Sequence, residues 1–401
     1  GAELCVFPIQ AAVFHVVPFV ALLSNLVVVP IASVFLFAAV LLLPLLLAGP
    51  VVASLALAPL ALLSGTILGL LRLLDALGAV RVVPTPPFAV AALLGLLLAA
   101  AGVLRNRGPR RAALGGAVAL VFLVSARPSS AARPGEARLV ALDVGQGDAF
   151  LVSTERGRVL VDGGGTFDAD DDFGRKRLLP RLAALGAVSF DAVVLTHPHP
   201  DHSRGLLAAL KLLPSQRLLL PRAAPRNPFL DELLSVAARA GVPAEALGAG
   251  DRFTAAGVVF DVLHPGPGTY PRSPENNGSL VLRLRLGGRS VLLTGDIEGT
   301  AEADLVARGE PLEADVLKVP HHGSRTSTTA AFLRKVSPRL SLVGVGRRNR
   351  FGHPAPEVVE RLAASGSRVF RTDRHGDVSV LFAGGRVLPS RPFAGLPGGL
   401  P

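Results

Sequence analysis

Thr196-His-Pro-His-Pro-Asp-His202 decides how the larger part of this chain is read. It follows a short apolar run of strand type at 192–195 and precedes a helix-like stretch at 203–213. Alternate side chains of an extended backbone point the same way, so the spacing predicts that His197, His199 and Asp201 share a face. Pro198 and Pro200 should keep that stretch extended, with His202 standing where the next helix begins. Three imidazoles and a carboxylate crowded into six residues make a poor packing motif. They suit Zn²⁺, with Mn²⁺ or Fe also compatible. The plainer alternative is a polar turn with solvated histidines. It loses ground because Asp296 and the pair His321-His322 also follow strand-like runs.

Outward from this motif, four further segments concentrate polar groups at strand ends. They are Leu142-Asp-Val-Gly-Gln-Gly-Asp148, Val161-Asp-Gly-Gly-Gly165, Leu293-Thr-Gly-Asp296 and Lys318-Val-Pro-His-His-Gly-Ser324. Strand-like runs at 139–144, 159–162, 192–196, 258–263, 280–286, 290–294, 316–319 and 340–345 surround them. Helix-like stretches fall at 175–186, 203–213, 228–240, 298–308, 328–336 and 356–364. This is an α/β layout with hairpins, one of them turned by Gly287-Gly288, and it contains no internal repeat. Gln146 and Asp148 could brace the site or cap backbone groups in their Gly-rich turn. Asp168, Asp170, Asp171 and Asp172 read as a solvated acidic loop. Arg347, Arg348 and Arg350 could contact backbone phosphates or form a solvated basic loop.

The first third is of another kind. Residues 1–126 hold six of the 41 basic and two of the 30 acidic residues, and none lies between Glu3 and Arg72. A spanning helix needs about 20 apolar residues. The stretches 11–29, 31–49, 51–74, 87–104 and 112–126 supply candidates, separated by Pro30, by the polar stretch Arg72 to Arg81 and by the arginine loop 105–111. By the positive-inside tendency that loop should face the cytoplasm, which puts the polar domain outside. The remaining 35 basic and 28 acidic residues belong to a charged globular domain. A net charge of +11 is compatible with a phosphate-bearing partner. Since 37 of the basic residues are Arg in an Ala/Leu/Gly/Pro-rich chain, coding bias explains it equally well. Cys5 is the only cysteine, so metal ligands must be His or carboxylate. Beginning at Gly1 without any Met, the chain reads as a fragment or processed product, and 1–126 lacks the form of a signal peptide. With no Trp and one Tyr, Tyr270, it shows no series of aromatic platforms for a single strand.

His197-x-His199-x-Asp201-His202, with Asp162 upstream and Asp296 downstream, resembles the metallo-β-lactamase superfamily. Within it, Leu142-Asp-Val-Gly-Gln-Gly-Asp-Ala149, Val319-Pro-His-His-Gly-Ser324, Asn349-Arg-Phe-Gly-His-Pro354 and Arg371-Thr-Asp-Arg-His-Gly376 follow a multi-helix membrane region. That combination resembles the competence DNA-uptake channel family (ComEC type). By composition residues 127–137 read as a linker, and 391–401 are expected to be a disordered tail. The resemblance implies an α-helical transmembrane segment at 1–126 and an αββα metallo-β-lactamase-like sandwich at 138–390. Members of the family are longer, so this chain is expected to be the carboxy-terminal part of one.

Carried over by position, the resemblance implies that His197 and His199 bind a first metal and Asp201 and His202 a second. Asp296 would bridge them and His321 would complete the second site, with one or two Zn²⁺ or Mn²⁺ ions bound. Asp162 would orient the histidine loop, with Asp148 and Asn277 supporting the site. Asp201, His322 and His353 are the catalytic candidates, the two histidines standing near the leaving oxygen. Glu275-Asn-Asn-Gly-Ser279 lies where many members have another metal-binding His, which leaves the first site short of ligands. The implied protein is a multi-pass membrane protein that internalises DNA in natural transformation. Its external, periplasmic domain would be a nuclease or phosphodiesterase degrading the strand left outside. Its partners would be single- and double-stranded DNA, the membrane, other competence proteins and further copies of itself. Two alternatives stay open: a hydrolase of a lactam, lactone or choline phosphoester, and a non-enzymatic channel subunit with the hydrolase domain as scaffold.

Overall fold

Long uncharged runs become helices in the first part of the chain, and short alternating runs become two sheets in the second. The computed structural model describes residues 16–18, 21–47, 49–76, 80–82, 84, 86, 88–125, 132–166, 172–222, 224–268 and 270–390. Two units follow one another, Gly1–Ala126 and Arg127–Pro401. Cys5, Asp168, Asp170 and Asp171, residues 127–131 of the expected linker and the expected tail at 391–401 lie outside the described residues.

In the first unit β1 (Val16–Pro18) leads into α1 (Ala21–Leu42), a 3₁₀ turn at Leu43–Leu47 and α2 (Pro50–Ala76). Next come β2 (Val80–Val82), antiparallel to β1, then α3 (Phe88–Val103) and α4 (Arg107–Ser125). The segments Asn25–Leu47 and Pro50–Leu74 are long and apolar enough to cross a membrane, and almost none of their side chains is buried. The expected break at Pro30 does not occur, because α1 runs through it. Proline removes one helical hydrogen bond, a loss that apolar surroundings tolerate when neighbouring groups take up the freed carbonyl. With 16 residues α3 is roughly 24 Å long, short of a hydrocarbon core of about 30 Å. Its Leu94 and Leu98 pack against Ala117 of α4. Arg107, Arg110 and Arg111 form the start of α4 instead of standing in a loop.

The second unit opens with β3 (Ala137–Ala141), β4 (Phe150–Thr154) and β5 (Gly157–Val161). They are followed by α5 (Leu179–Ala184), β6 (Ala192–Val194), α6 (Pro200–Leu212), β7 (Leu218–Pro221), α7 (Pro228–Arg239) and β8 (Ala244–Leu247). After β9 (Arg252–Ala255) and β10 (Val258–His264) come the short α8 (Pro274–Asn277), β11 (Val281–Leu286), β12 (Arg289–Leu293) and α9 (Gly299–Ala307). The chain continues through β13 (Val316–Lys318), α10 (Ala330–Val336), β14 (Leu340–Val343), α11 (Pro356–Ala364) and β15 (Arg368–Arg371). It returns through the short α12 (Thr372–His375), β16 (Val378–Ala383) and β17 (Arg386–Ser390). One sheet has the order β17-β16-β3-β4-β5-β6-β7-β8 and the other β15-β14-β13-β12-β11-β10-β9.

Side-chain alternation explains why the sheets stack. Val159 and Val161 of β5, Val194 of β6 and Leu219 of β7 share one core with Phe260, Leu282, Leu284, Val291, Leu293 and Val316 of the opposite sheet. Leu292 and Leu317, one residue out of phase, face a separate core with Leu305 of α9, Phe332 of α10 and Val358 of α11. The result is helices outside and two sheets within, the αββα sandwich that the motifs imply. The same period of two has a second consequence. Val316 points between the sheets, so Lys318 does too, at the strand's carboxy-terminal end where the apolar core gives way to polar loops.

α6 starts at Pro200, three residues before the stretch expected to be helical. His199 is extended, with φ −78° and ψ 149°, and Pro200 occupies the first helical position, where its missing N–H is no loss and its fixed φ suits the turn. Asp201 therefore lies in the first turn of α6 beside His202, and does not alternate with His197 and His199 along a strand.

α6 comes close to the loop after β5. A Cβ at Gly205 would lie 1.9 Å from the Gly163 carbonyl oxygen, and the Gly205 N–H donates to Gly164 O at 3.0 Å. Gly205→Ala is expected to lower unfolding stability by about 1–3 kcal/mol. An unchanged denaturation midpoint would contradict this seating of α6.

Candidate metal centre

Four loops at one end of the sandwich are laced by backbone hydrogen bonds before any side chain is considered. Gly163 N donates to His202 O at 2.8 Å, Gly164 N to Asp148 O at 2.7 Å, and Asp148 N to Asp201 O at 3.2 Å. Leu280 N, just before β11, donates to Thr196 O at 2.9 Å. The histidine loop is thus held on one side by the loops of the first sheet and on the other by the second.

Asp162 organises the histidines. Its Oδ1 accepts Thr196 N at 2.8 Å, and its Oδ2 accepts Thr196 Oγ1 at 2.7 Å and His202 Nδ1 at 2.8 Å. Since a carboxylate only accepts, His202 Nδ1 carries a proton, and in the neutral ring the lone pair falls on Nε2. His322 is fixed the same way, its Nδ1 donating to Gly344 O at 2.8 Å. Both Nε2 atoms are buried with no hydrogen-bond partner.

They converge on the same carboxylates. His202 Nε2 lies 3.3 Å and His322 Nε2 3.2 Å from Asp296 Oδ2, and His322 Nε2 lies 3.5 Å from Asp201 Oδ2. A tetrahedral ion with bonds of about 2.1 Å separates its ligands by roughly 3.4 Å. Those three spacings are edges of such a cage, and its two nitrogens have lone pairs aimed inward. The residues present fit a divalent metal.

Electrostatics point the same way. Burial alone would lower the His202 imidazole, yet Asp296 and Asp162 override it and push it up to about 10. His322 rises well above its usual range against the same burial, lifted by Asp296 and Asp148. Burial would raise Asp201, but the close approach of His322 and the charges of His202 and His322 bring it down to about 2. The buried carboxylates demand positive charge, and a cation held between the two Nε2 atoms meets the same demand as the protons.

The other expected residues fall into distinct places. His197 Nε2 and His199 Nδ1 are 3.1 Å apart and form one further edge, while Thr196 Oγ1 lies 3.2 Å from His197 Nδ1. Asn277 offers nothing to this edge. Its Oδ1 accepts Glu298 N at 3.0 Å and its Nδ2 donates to Arg272 O at 2.9 Å. Of the adjacent pair, His322 faces the cage, whereas His321 turns its Nδ1 to Glu298 Oε1 at 3.3 Å and keeps Nε2 4.0 Å from Asp296. This reverses the places expected for the two. Both residues are left-handed, with φ 48° and 53°, so the chain twists between them in a way that motif spacing does not convey. His353 stands outside the cage, its ring 5.7 Å from that of His321 and 6.5 Å from that of His322.

Asp148, His202, Asp296 and His322 offer atoms that all lie within 4.8 Å of one another. Asp148 nevertheless approaches the rings from behind, at 3.4 Å from His322 Nδ1 and 4.0 Å from His202 Nδ1. Its charge is matched by Lys318, whose ammonium contacts Asp148 and lies 3.0 Å from Asp296 Oδ1. Lys318 is the functional residue that the motifs do not single out. The available signal was a lone lysine ending the apolar strand Val316-Leu-Lys318 immediately before Val-Pro-His-His. Arg371-Thr-Asp-Arg-His-Gly376 acts at one remove. Thr372 Oγ1 accepts Val345 N and donates to Val345 O, at 2.8 and 2.9 Å, which steadies the segment whose Gly344 carbonyl holds His322.

Two measurements check this arrangement. Lys318→Met leaves two buried carboxylates without their cation and should destabilise the chain by about 3–5 kcal/mol. Adding Asp148→Asn should restore part of that loss, and a neutral Lys318→Met would contradict the bridging role. His264, fully buried at the end of β10, donates Nε2–H to Asn277 O at 2.7 Å, and burial holds its pKa down at about 4. Because the folded value is depressed below about 6.5, the stabilisation is whole above pH 6.5 and is lost as pH falls through 4, roughly 3 kcal/mol in all. Unfolding free energies at pH 7 and pH 4 should therefore differ less in His264→Gln than in the parent chain. An equal difference would contradict it.

Comparison with known proteins places these features. Residues 142–347 match the metallo-beta-lactamase superfamily and residues 1–108 the competence proteins. The chain is 36% identical over 249 residues to ComE operon protein 3 of Bacillus subtilis, covering 59% of this chain and 32% of that protein. It is 33% identical over 316 residues to competence protein ComA of Neisseria gonorrhoeae, covering 77% and 42%. It is 30% identical over 252 residues to the uncharacterized protein YcaI of Escherichia coli, covering 63% and 31%. The chain spans less than half the length of these relatives. With its buried His/Asp cage at the mouth of an αββα sandwich and a competence segment ahead of it, the chain belongs to the metallo-beta-lactamase superfamily, in the form carried by the competence proteins.

Proposed function

We propose that this chain serves DNA uptake at a membrane and that its second unit is a divalent-metal phosphodiesterase acting on DNA. The observation that carries the reading is the cage of Asp201, His202, Asp296 and His322 in one chain with a competence segment. In this reading those four residues hold one ion, and His197 with His199 supply two nitrogens of a weaker second position. When bound, a divalent ion supplies Lewis-acid polarisation of a phosphoryl oxygen and a nucleophile ionised near neutral pH.

The chain's own groups do the rest. Asp162 and Gly344 fix which imidazole nitrogen carries the proton, so that both Nε2 atoms are ready as ligands. Lys318 holds Asp296 at Oδ1 and leaves Oδ2 toward the cage. In this reading Nδ1 of His322 is committed to Gly344 and Nε2 to the ion, so with the ion bound His322 acts as a ligand. Burial and the neighbouring His322 and His321 charges bring His353 down to about 4, so its ring is uncharged at neutral pH. The apolar helices supply membrane attachment, and the arginine-rich start of α4 favours an external position for the second unit.

The full chain in detergent should cleave DNA when Mn²⁺ or Zn²⁺ is added. Asp201→Ala and His322→Ala should each lower kcat/KM at least about 100-fold, roughly 3 kcal/mol of transition-state stabilisation. His321→Ala should retain bound metal where His322→Ala loses it. Hydrolysis of a chromogenic lactam with no cleavage of single- or double-stranded DNA would overturn the substrate assignment.

A further inference from the structure

The segment Arg347-Arg-Asn-Arg-Phe-Gly-His353 is not used by the metal cage, yet it is built as firmly as the site. Asn349 Oδ1 accepts His353 N at 2.8 Å, and its Nδ2 donates to Gly346 O at 3.0 Å and to His353 O at 2.8 Å. The turn so closed holds Phe351 out. Among the described residues of the second unit, the exposed large hydrophobics are Val259, Phe351 and Leu388, and Phe351, at 48% exposure, is the aromatic one.

An exposed phenylalanine by itself needs no explanation. This one is tied to the metal centre. Its ring lies nearly parallel to that of His353, 13° apart with centroids at 5.8 Å, and His353 in turn faces His321 and His322. The rings form a path from the cage to the surface. Arg350 places its guanidinium 5.5 Å above the Phe351 ring, and Arg347 and Arg348 stand exposed beside it. A flat apolar ring bordered by guanidinium groups matches a nucleobase joined to its phosphate, since every base offers a π-face whatever its sequence.

We propose that Phe351, seated on His353, is a stacking platform for an unpaired nucleotide of a DNA strand whose scissile phosphate lies at the metal cage. The proposal rests on the DNA-hydrolase reading and adds to it a preference for bases that are out of the double helix, without sequence selectivity. A base within a duplex keeps both faces stacked and cannot use the ring. Arg347, Arg348 and Arg350 hold the adjoining phosphates.

The chain has no Trp, so Phe351→Trp introduces a single indole reporter at the platform. The full chain carrying it, in detergent and without divalent metal so that DNA stays intact, is titrated with a short thymidine oligonucleotide and with an abasic strand of equal length and charge. Indole emission should be quenched by the first and not by the second. Phe351→Ala should weaken binding of the base-bearing strand about 5- to 100-fold and leave the abasic strand unaffected. Equal quenching by both strands overturns the stacking platform. Unchanged emission while the unsubstituted chain still cuts the same oligonucleotide overturns the platform alone. Unchanged emission with no cleavage by that chain overturns the platform and the hydrolase reading together.

Discussion

The hydrogen bond from His202 Nδ1 to Asp162 is the constraint on which the rest of this site depends. Asp162 is buried at the end of β5 with φ 59°, an uncommon conformation for a residue with a side chain. Its carboxylate takes three hydrogen bonds, two from Thr196 and one from His202, and so joins the ends of two parallel strands to the first turn of α6. That junction decides the tautomer of His202, points Nε2 at Asp296 and seats the helix that carries Asp201. Backbone strain at Asp162 costs about 1–3 kcal/mol. It is offset because the carboxylate's bonds all come from buried donors, and because Gly163 and Gly205 let the chain segments approach where a side chain would collide.

A second constraint acts from the opposite sheet. Lys318 reaches the site by strand periodicity alone, since it follows Val316 by two residues and must point between the sheets. There it sits between Asp148 and Asp296, one carboxylate from each half of the sandwich. One buried lysine therefore neutralises part of a four-carboxylate cluster and sets which oxygen of Asp296 remains toward the histidines. The remaining negative charge is what raises His202 and His322 and what favours a divalent cation.

Much of this is legible from residue order. The compact His197 to His202 motif, the acidic residues at strand ends and the alternation of the core strands each follow from local rules, and together they define the sandwich and the cage's main members. Three things are not legible. His321 and His322 exchange places because two successive left-handed residues turn the chain, and spacing rules assume ordinary backbone. Asp201 belongs to a helix because Pro200 starts one, and a proline taken only as a helix breaker hides its ability to begin a helix. α1 passes through Pro30 because hydrophobic length outweighs one lost hydrogen bond. In each case the local signal leaves more than one backbone course open.

The central claim is that Asp201, His202, Asp296 and His322, and neither His321 nor Asp148, form the principal metal position. Anomalous scattering from crystals of the protein loaded with Mn²⁺ or Zn²⁺ tests it directly. A dominant peak bounded by those four side chains is expected, with each donor at about 2.0–2.3 Å. A dominant peak between His321 and Glu298, or one coordinated by Asp148 in place of Asp201, would contradict it.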